Sequence, residues 1–304
     1  MPMADSPPIF KRIAVLGVGL MGGSLAIAAK RMGAVESVIG WGRSEMNLSR
    51  AQELGYIDSW TTDLQKAIAG VDCVVIATPT QFAEQLMVDV VKSVADTTVV
   101  TDVASVKANL VVALKSEFGN VPSNVVLGHP IAGSEKSGVD AVDPELYLRH
   151  KVILIEGAVE QQMKSLTALW EAVGAEVSLM SAEQHDAVLA MTSHLPHMLS
   201  YALVGQIAQS DLEEDVFAYA AGGLRDFSRV AGSDPVMWSE ILLANHEQVL
   251  KGLQGFDDQI QKLKQALLRN DSKALIEMFA DAREHRNRFA DAYEVRTQRG
   301  DVVS

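Results

Sequence analysis

The chain has 304 residues, 48% of them hydrophobic, enough to fill the cores of two domains. Its 26 Lys and Arg against 39 Asp and Glu leave a net charge of −13, a field that repels a nucleic-acid backbone yet allows a local cationic pocket for a small anion. The one cysteine, Cys73, lies in an apolar run, forms no internal disulfide and fits a reducing, cytoplasmic setting; no apolar run approaches the ~18 residues of a membrane span.

Residues 1–10, rich in Pro and Ser, read as a flexible tail without the apolar core of a signal peptide. From 11 to 181, short apolar runs alternate with stretches of helical spacing. Strands are predicted at 12–16, 37–41, 73–77, 98–102, 125–127, 152–156 and 176–179, with helices such as 22–32, 81–94 and 161–173 between them. This alternation predicts an α/β domain, a Rossmann-type doubly wound, mostly parallel sheet. From 182 to 304 strand signals stop, and an all-α substrate and dimerisation domain is expected. Asp234-Pro235 reads as an N-cap followed by Pro at the first helical position. Ile241, Leu242, Val249, Leu250, Leu253, Phe256, Ile260, Leu263 and Leu267 then keep helical spacing, a long apolar stripe that needs a neighbour. A second copy of the chain, in a homodimer, meets that need most simply.

Gly17-Val18-Gly19-Leu20-Met21-Gly22 follows the first strand and opens the first helix, the context that makes a G-x-G-x-x-G run a dinucleotide fingerprint. Gly17 permits the turn, Gly19 the approach of a pyrophosphate, and Gly22 close helix–strand packing; Leu20 and Met21 lie at the helix N-terminus, where free N–H groups favour phosphate. Thr78 and Pro79, after the third predicted strand, complete the expected cofactor contacts. The second strand ends in Gly40-Trp41-Gly42-Arg43-Ser44, without the acid that binds the ribose of NAD. Arg43 and Ser44 instead suit a 2′-phosphate, so NADP is the expected cofactor; with Arg43 as a solvated loop charge, it would be NAD.

Four further segments carry chemistry: TDVASVK (101–107), GHPIAGSE (128–135), HDAVLAMTSHLPH (185–197) and GGLRDFSR (222–229). The first two follow predicted strands, placing Ser105 and His129 near the nicotinamide end of a bound cofactor. The His129 imidazole can accept a proton near neutral pH beside a hydride acceptor, or it is a structural loop histidine. Ser193, His194 and His197 share a helical face. Metal ligation by the His pair lacks any supporting cysteine or acidic cluster, and packing in a helical core is the commoner reason for such histidines. Arg225 and Arg229 flank Asp226 and Phe227 after two glycines, an arrangement that grips a carboxylate or forms a surface ion pair.

With these segments in this order, the chain resembles the prephenate and arogenate (cyclohexadienyl) dehydrogenases of tyrosine biosynthesis over residues 11–289. The resemblance implies that His129 takes the proton of the substrate's ring hydroxyl, supported by Ser105, and that Arg229 binds a substrate carboxylate. It implies that His197 and Ser193 line the side-chain end, that Glu135 and Trp238 shape the pocket edge, and that Asp226 reaches across a dimer interface. Gln184, neutral where related enzymes that use an amino-acid substrate carry an acid, favours prephenate over arogenate. The implied reaction is oxidative decarboxylation with hydride transfer to NAD(P)+. The stretch after Phe289 is too short for a regulatory βαβ domain. A β-hydroxyacid dehydrogenase-like or pyrroline-carboxylate reductase is the nearest alternative, but the former needs an acid/base lysine on a Gly-rich helix, and no such helix is found after residue 160. A non-catalytic NADP-binding sensor would dispense with a proton acceptor, whereas His129 is present.

Overall fold

The computed structural model describes residues 7–133 and 136–298. The chain forms two compact units: the first runs through Asp186 and includes Gly232–Asn245, and the second comprises Ala187–Ala231 and the chain from His246 on.

In the first unit, β1 (Phe10–Leu16), α1 (Leu20–Arg31), β2 (Val35–Trp41), α2 (Glu45–Glu53), β3 (Ser59–Thr61), α3 (Leu64–Ile68), β4 (Cys73–Ile76), α4 (Thr80–Ser93), β5 (Val99–Asp102), α5 (Ala108–Phe118) and β6 (Val125–Val126) build one layer after another. The six strands pair in parallel in the order β3-β2-β1-β4-β5-β6. The order reverses between β1 and β4, and a doubly wound sheet opens its ligand crevice at the carboxyl ends of such a pair. Every residue of β4 is buried, as a strand covered on both faces requires. Burial drives the Cys73 thiol upward in pKa, with Asp72 adding to the effect, so it is an inert core side chain.

The expected single sheet is in fact two. After β6 come β7 (Gly128–Pro130), β8 (Lys151–Ile155), α6 (Glu160–Ala172) and β9 (Glu176–Met180), and β7-β8-β9 form a separate sheet with β7 antiparallel to β8. The physical reason lies at Gly128. Its N–H donates to Asp102 Oδ1 at 3.1 Å and its carbonyl accepts from Lys107 Nζ at 2.8 Å, so side chains take the groups that would extend the ladder beside β5. β7 and the short edge strand β3 carried too little pattern to be read in advance.

α7 (Ala182–Leu189) carries the chain from the first unit into the second. A π-helical turn, Ala190–His194, leads into α8 (Leu195–Ala208), followed by α9 (Glu213–Ala218) and α10 (Gly222–Ser228). Pro196 supplies no N–H for the preceding turn, which favours a widened turn there. α11 (Pro235–Ala244) belongs with the first unit and starts as anticipated, with Asp234 accepting from the Val236 and Met237 amides at 2.8 and 3.2 Å. The apolar stripe expected to run on from it is interrupted. Asn245 closes α11, its buried side chain donating to the Asp186 carbonyl at 2.8 Å, and a new helix, α12 (His246–Leu268), begins. α13 (Ser272–Gln298) follows a turn in which Asn270 has φ of 48°.

Candidate active site

The glycine turn between β1 and α1 has the geometry of a phosphate cradle. Gly17 sits at φ of 104°, and a Cβ there would lie 2.4 Å from the Ala77 carbonyl oxygen. A Cβ at Gly22 would lie 2.2 Å from the Gly17 carbonyl oxygen and 2.7 Å from Val15, so only glycine lets α1 pack this close to the sheet. At Gly19, the N-cap of α1, a Cβ would meet nothing within 4 Å. Open space against a helix N-terminus suits a diphosphate. Thr78 Oγ1, just past β4, is buried with no hydrogen-bond partner among the described residues, and Pro79 caps α4. A buried hydroxyl left unsatisfied beside the cradle fits a ligand that supplies its partner. These residues therefore suit a dinucleotide.

At the end of β2, the exposed Arg43 guanidinium stands 4.9 Å from the centre of the Phe82 ring at the start of α4. The Ser44 oxygen accepts from the Asn47 amide at 3.3 Å as the N-cap of α2, and its hydroxyl proton remains able to donate.

His129 lies in β7 at only 8% exposure, paired with Ile153 across the sheet. Its Nδ1 is 2.8 Å from His185 Nε2, and His185 Nδ1 is 2.7 Å from Asp186 Oδ1. The Asp186 carboxylate accepts two further bonds from the N-terminus of α5, Lys107 N–H at 2.9 Å and Ala108 N–H at 2.8 Å. The fully buried Lys107 ammonium bonds both Asp102 and the Gly128 carbonyl. Burial lowers the His185 pKa, opposed by the Asp186 hydrogen bond, with the Lys107 charge lowering it further. Burial also pulls the Lys107 ammonium down against the attraction of Asp102 and Asp186. Ser105 is half-buried in the loop between β5 and α5, the loop whose ends are Asp102 and Lys107. Trp238 is buried in α11, and Glu240 of the same helix accepts from the Gln81 amide at 3.4 Å. Gln184 lies on the exposed side of α7. Glu135 lies outside the described residues.

In the second unit, His197 Nδ1 bonds the Ser193 carbonyl at 2.8 Å, across the start of α8. Burial lowers the His197 pKa; the Ser193 carbonyl opposes this and the Arg229 charge adds to it, which puts His197 and Arg229 within electrostatic reach. Arg229 is exposed at the end of α10. Arg225 Nε donates to Asp226 at 2.9 Å in an exposed pair, the surface arrangement weighed as one reading of this segment. His185, Asp186, Asp102 and Lys107 carry no assigned role in the sequence reading. For His185 and Asp186 the signal is helical periodicity: they stand four residues before the buried Leu189 and Ala190, so both face inward.

A doubly wound sheet with this cradle, and a buried imidazole on a strand beside its carboxyl edge, defines a dinucleotide-dependent oxidoreductase. The comparisons narrow the class. Residues 25–179 match the family model of the prephenate dehydrogenase nucleotide-binding domain, and residues 181–281 that of the prephenate dehydrogenase dimerization domain. The cyclohexadienyl dehydrogenase of Zymomonas mobilis is 33% identical over 293 residues, 95% of this chain and 99% of that protein. The Aquifex aeolicus prephenate dehydrogenase, solved with hydroxyphenyl propionate and NAD+, superposes with a TM-score of 0.84 at 36% identity, covering 92% of this chain and 98% of that one. The Synechocystis arogenate dehydrogenase structure gives 0.79 at 27% identity, covering 91% and 99%. The chain belongs to the prephenate dehydrogenase family.

Proposed function

We propose that this chain catalyses the oxidative decarboxylation of prephenate to 4-hydroxyphenylpyruvate, with arogenate as a second substrate yielding tyrosine. The observation that carries the reading is His129, a buried imidazole whose Nδ1 meets His185, in the unit that bears the dinucleotide cradle. The bound nicotinamide supplies the hydride acceptor. His129 takes the proton of the ring hydroxyl as the carbon beneath it loses hydride. The ring carboxylate then leaves as carbon dioxide, its electron pair aromatises the ring, and His129 returns the proton to the new phenolate oxygen. Carbon dioxide, the reduced cofactor and the phenol account for every atom, and the imidazole ends as it began.

Ser105 supports the imidazole and the hydroxyl. Arg229 orients a substrate carboxylate, with His197, Ser193, Trp238, Glu135 and Asp226 shaping the pocket, and the uncharged Gln184 favours the keto acid. NADP is the preferred cofactor: no acid ends β2, and Arg43 with Ser44 suits a 2′-phosphate. The chain works as a homodimer. Leu250, Phe256, Ile260 and Leu267 of α12 are exposed at 59%, 37%, 41% and 63%, apolar area that a second copy would cover. Its single buried thiol suits the cytoplasm. No helix among the described residues is long and apolar enough to cross a membrane.

The test mixes the purified chain with prephenate or arogenate and NADP+ or NAD+ and follows reduced cofactor together with carbon dioxide. Equal amounts of both products, fastest with prephenate and NADP+, are expected; no reduction with any pairing overturns the reading.

A further inference from the structure

We propose that His185 and Asp186 form a relay that fixes the tautomer of His129, so that Nε2 is its proton-accepting nitrogen. The Asp186 carboxylate accepts the Lys107 and Ala108 amides at 2.9 and 2.8 Å, a cap on the buried start of α5, and as an acceptor it requires a proton on His185 Nδ1 at 2.7 Å. In neutral His185 that leaves the lone pair on Nε2. Nε2 stands 2.8 Å from His129 Nδ1 and accepts a hydrogen bond from its N–H. His129 therefore carries its proton on Nδ1 and its lone pair on Nε2. His185 is held neutral by burial, so the chain of donors keeps one direction at neutral pH. Asn245 adds a further tie, its side chain bonding the Asp186 carbonyl at 2.8 Å.

His185 and Asp186 are positioning residues. They meet neither substrate nor cofactor in this account, and they act by orienting the ring and by stabilising the imidazolium that forms when His129 takes a proton. This consequence rests on the function proposed above, whereas the tautomer itself does not.

The test uses the full chain with nitrogen-15-labelled histidine and reads the ring nitrogens of His129 by NMR. The wild type should show a protonated Nδ1 and an unprotonated Nε2 at neutral pH. His185→Leu should lose that pattern and lower kcat by about tenfold or more while leaving KM for the cofactor within about twofold. His185→Gln, whose amide oxygen can accept the same hydrogen bond, should recover part of the rate. Where the leucine variant does not fold, Asp186→Asn, which removes the charge but keeps an oxygen for the helix amides, should lower kcat in the same sense. A protonated Nε2 in wild-type His129 overturns the relay, and so does a His185→Leu chain with an unaltered tautomer and rate. The expected tautomer without any turnover of prephenate would count against the proposed reaction and leave the relay standing.

Discussion

Lys107 Nζ donates to the carbonyl oxygen of Gly128 at 2.8 Å, one residue before the His129 imidazole, while its charge is neutralised by Asp102 at the end of β5. One buried ammonium thus joins the loop that bears Ser105 to the strand that bears His129. Both side chains of the pair are fully buried. Replacing Lys107 with Met strands the Asp102 carboxylate without its counter-ion, which should cost about 3–5 kcal/mol of folding stability. Denaturant unfolding checks this, and a loss below about 1 kcal/mol would show the pair to be dispensable.

The histidines set a pH dependence. His185 and His197 both have pKa values lowered from 6.5 in the fold, burial being the first cause for each. The unfolded chain therefore binds protons, as pH falls below 6.5, that the folded chain refuses. Their contribution to stability is complete above that value and is lost as pH falls through the folded values. The unfolding free energy should be flat just above neutrality and decline on the acid side, less steeply in His185→Leu. An equal acid-side decline in that variant would remove His185 from the account.

The glycine cradle separates packing from binding. Gly22→Ala would put a Cβ 2.2 Å from the Gly17 carbonyl oxygen, and overpacking of this kind should cost about 1–3 kcal/mol. Gly19→Ala meets nothing within 4 Å, so that chain should fold with its thermal midpoint near wild type yet lose cofactor affinity by about tenfold or more, its methyl occupying the path of the pyrophosphate. Calorimetry of unfolding and cofactor titration read the two effects. Unaltered cofactor affinity in Gly19→Ala would move the diphosphate away from this turn.

Arg43 offers the test of cofactor choice. Its guanidinium lies 4.9 Å from the Phe82 ring centre, and Arg43→Ala should weaken NADP by about tenfold while changing NAD little. Equal losses for both would mean that Arg43 does not read the 2′-phosphate.

The contrast between what was legible and what was not follows the range of the forces. The strand alternation, the glycine turn and the Asp234 cap are local, set by residues a few positions apart, and they stand as read. The division into two sheets is decided at Gly128 by Asp102 and Lys107, more than twenty residues upstream, and no local pattern announces it. The break at Asn245 depends on the carbonyl of Asp186, 59 positions away. Asp186 is one residue of the segment 185–197, and its use as a cap for α5 becomes visible only when the two helices meet.

The most direct measurement compares progress curves of reduced cofactor for the wild type and His129→Asn with prephenate and NADP+, alongside cofactor affinity. Turnover in the variant should be lower by about 10²–10⁴, with the nucleotide bound as before. Turnover close to wild type in His129→Asn would contradict it.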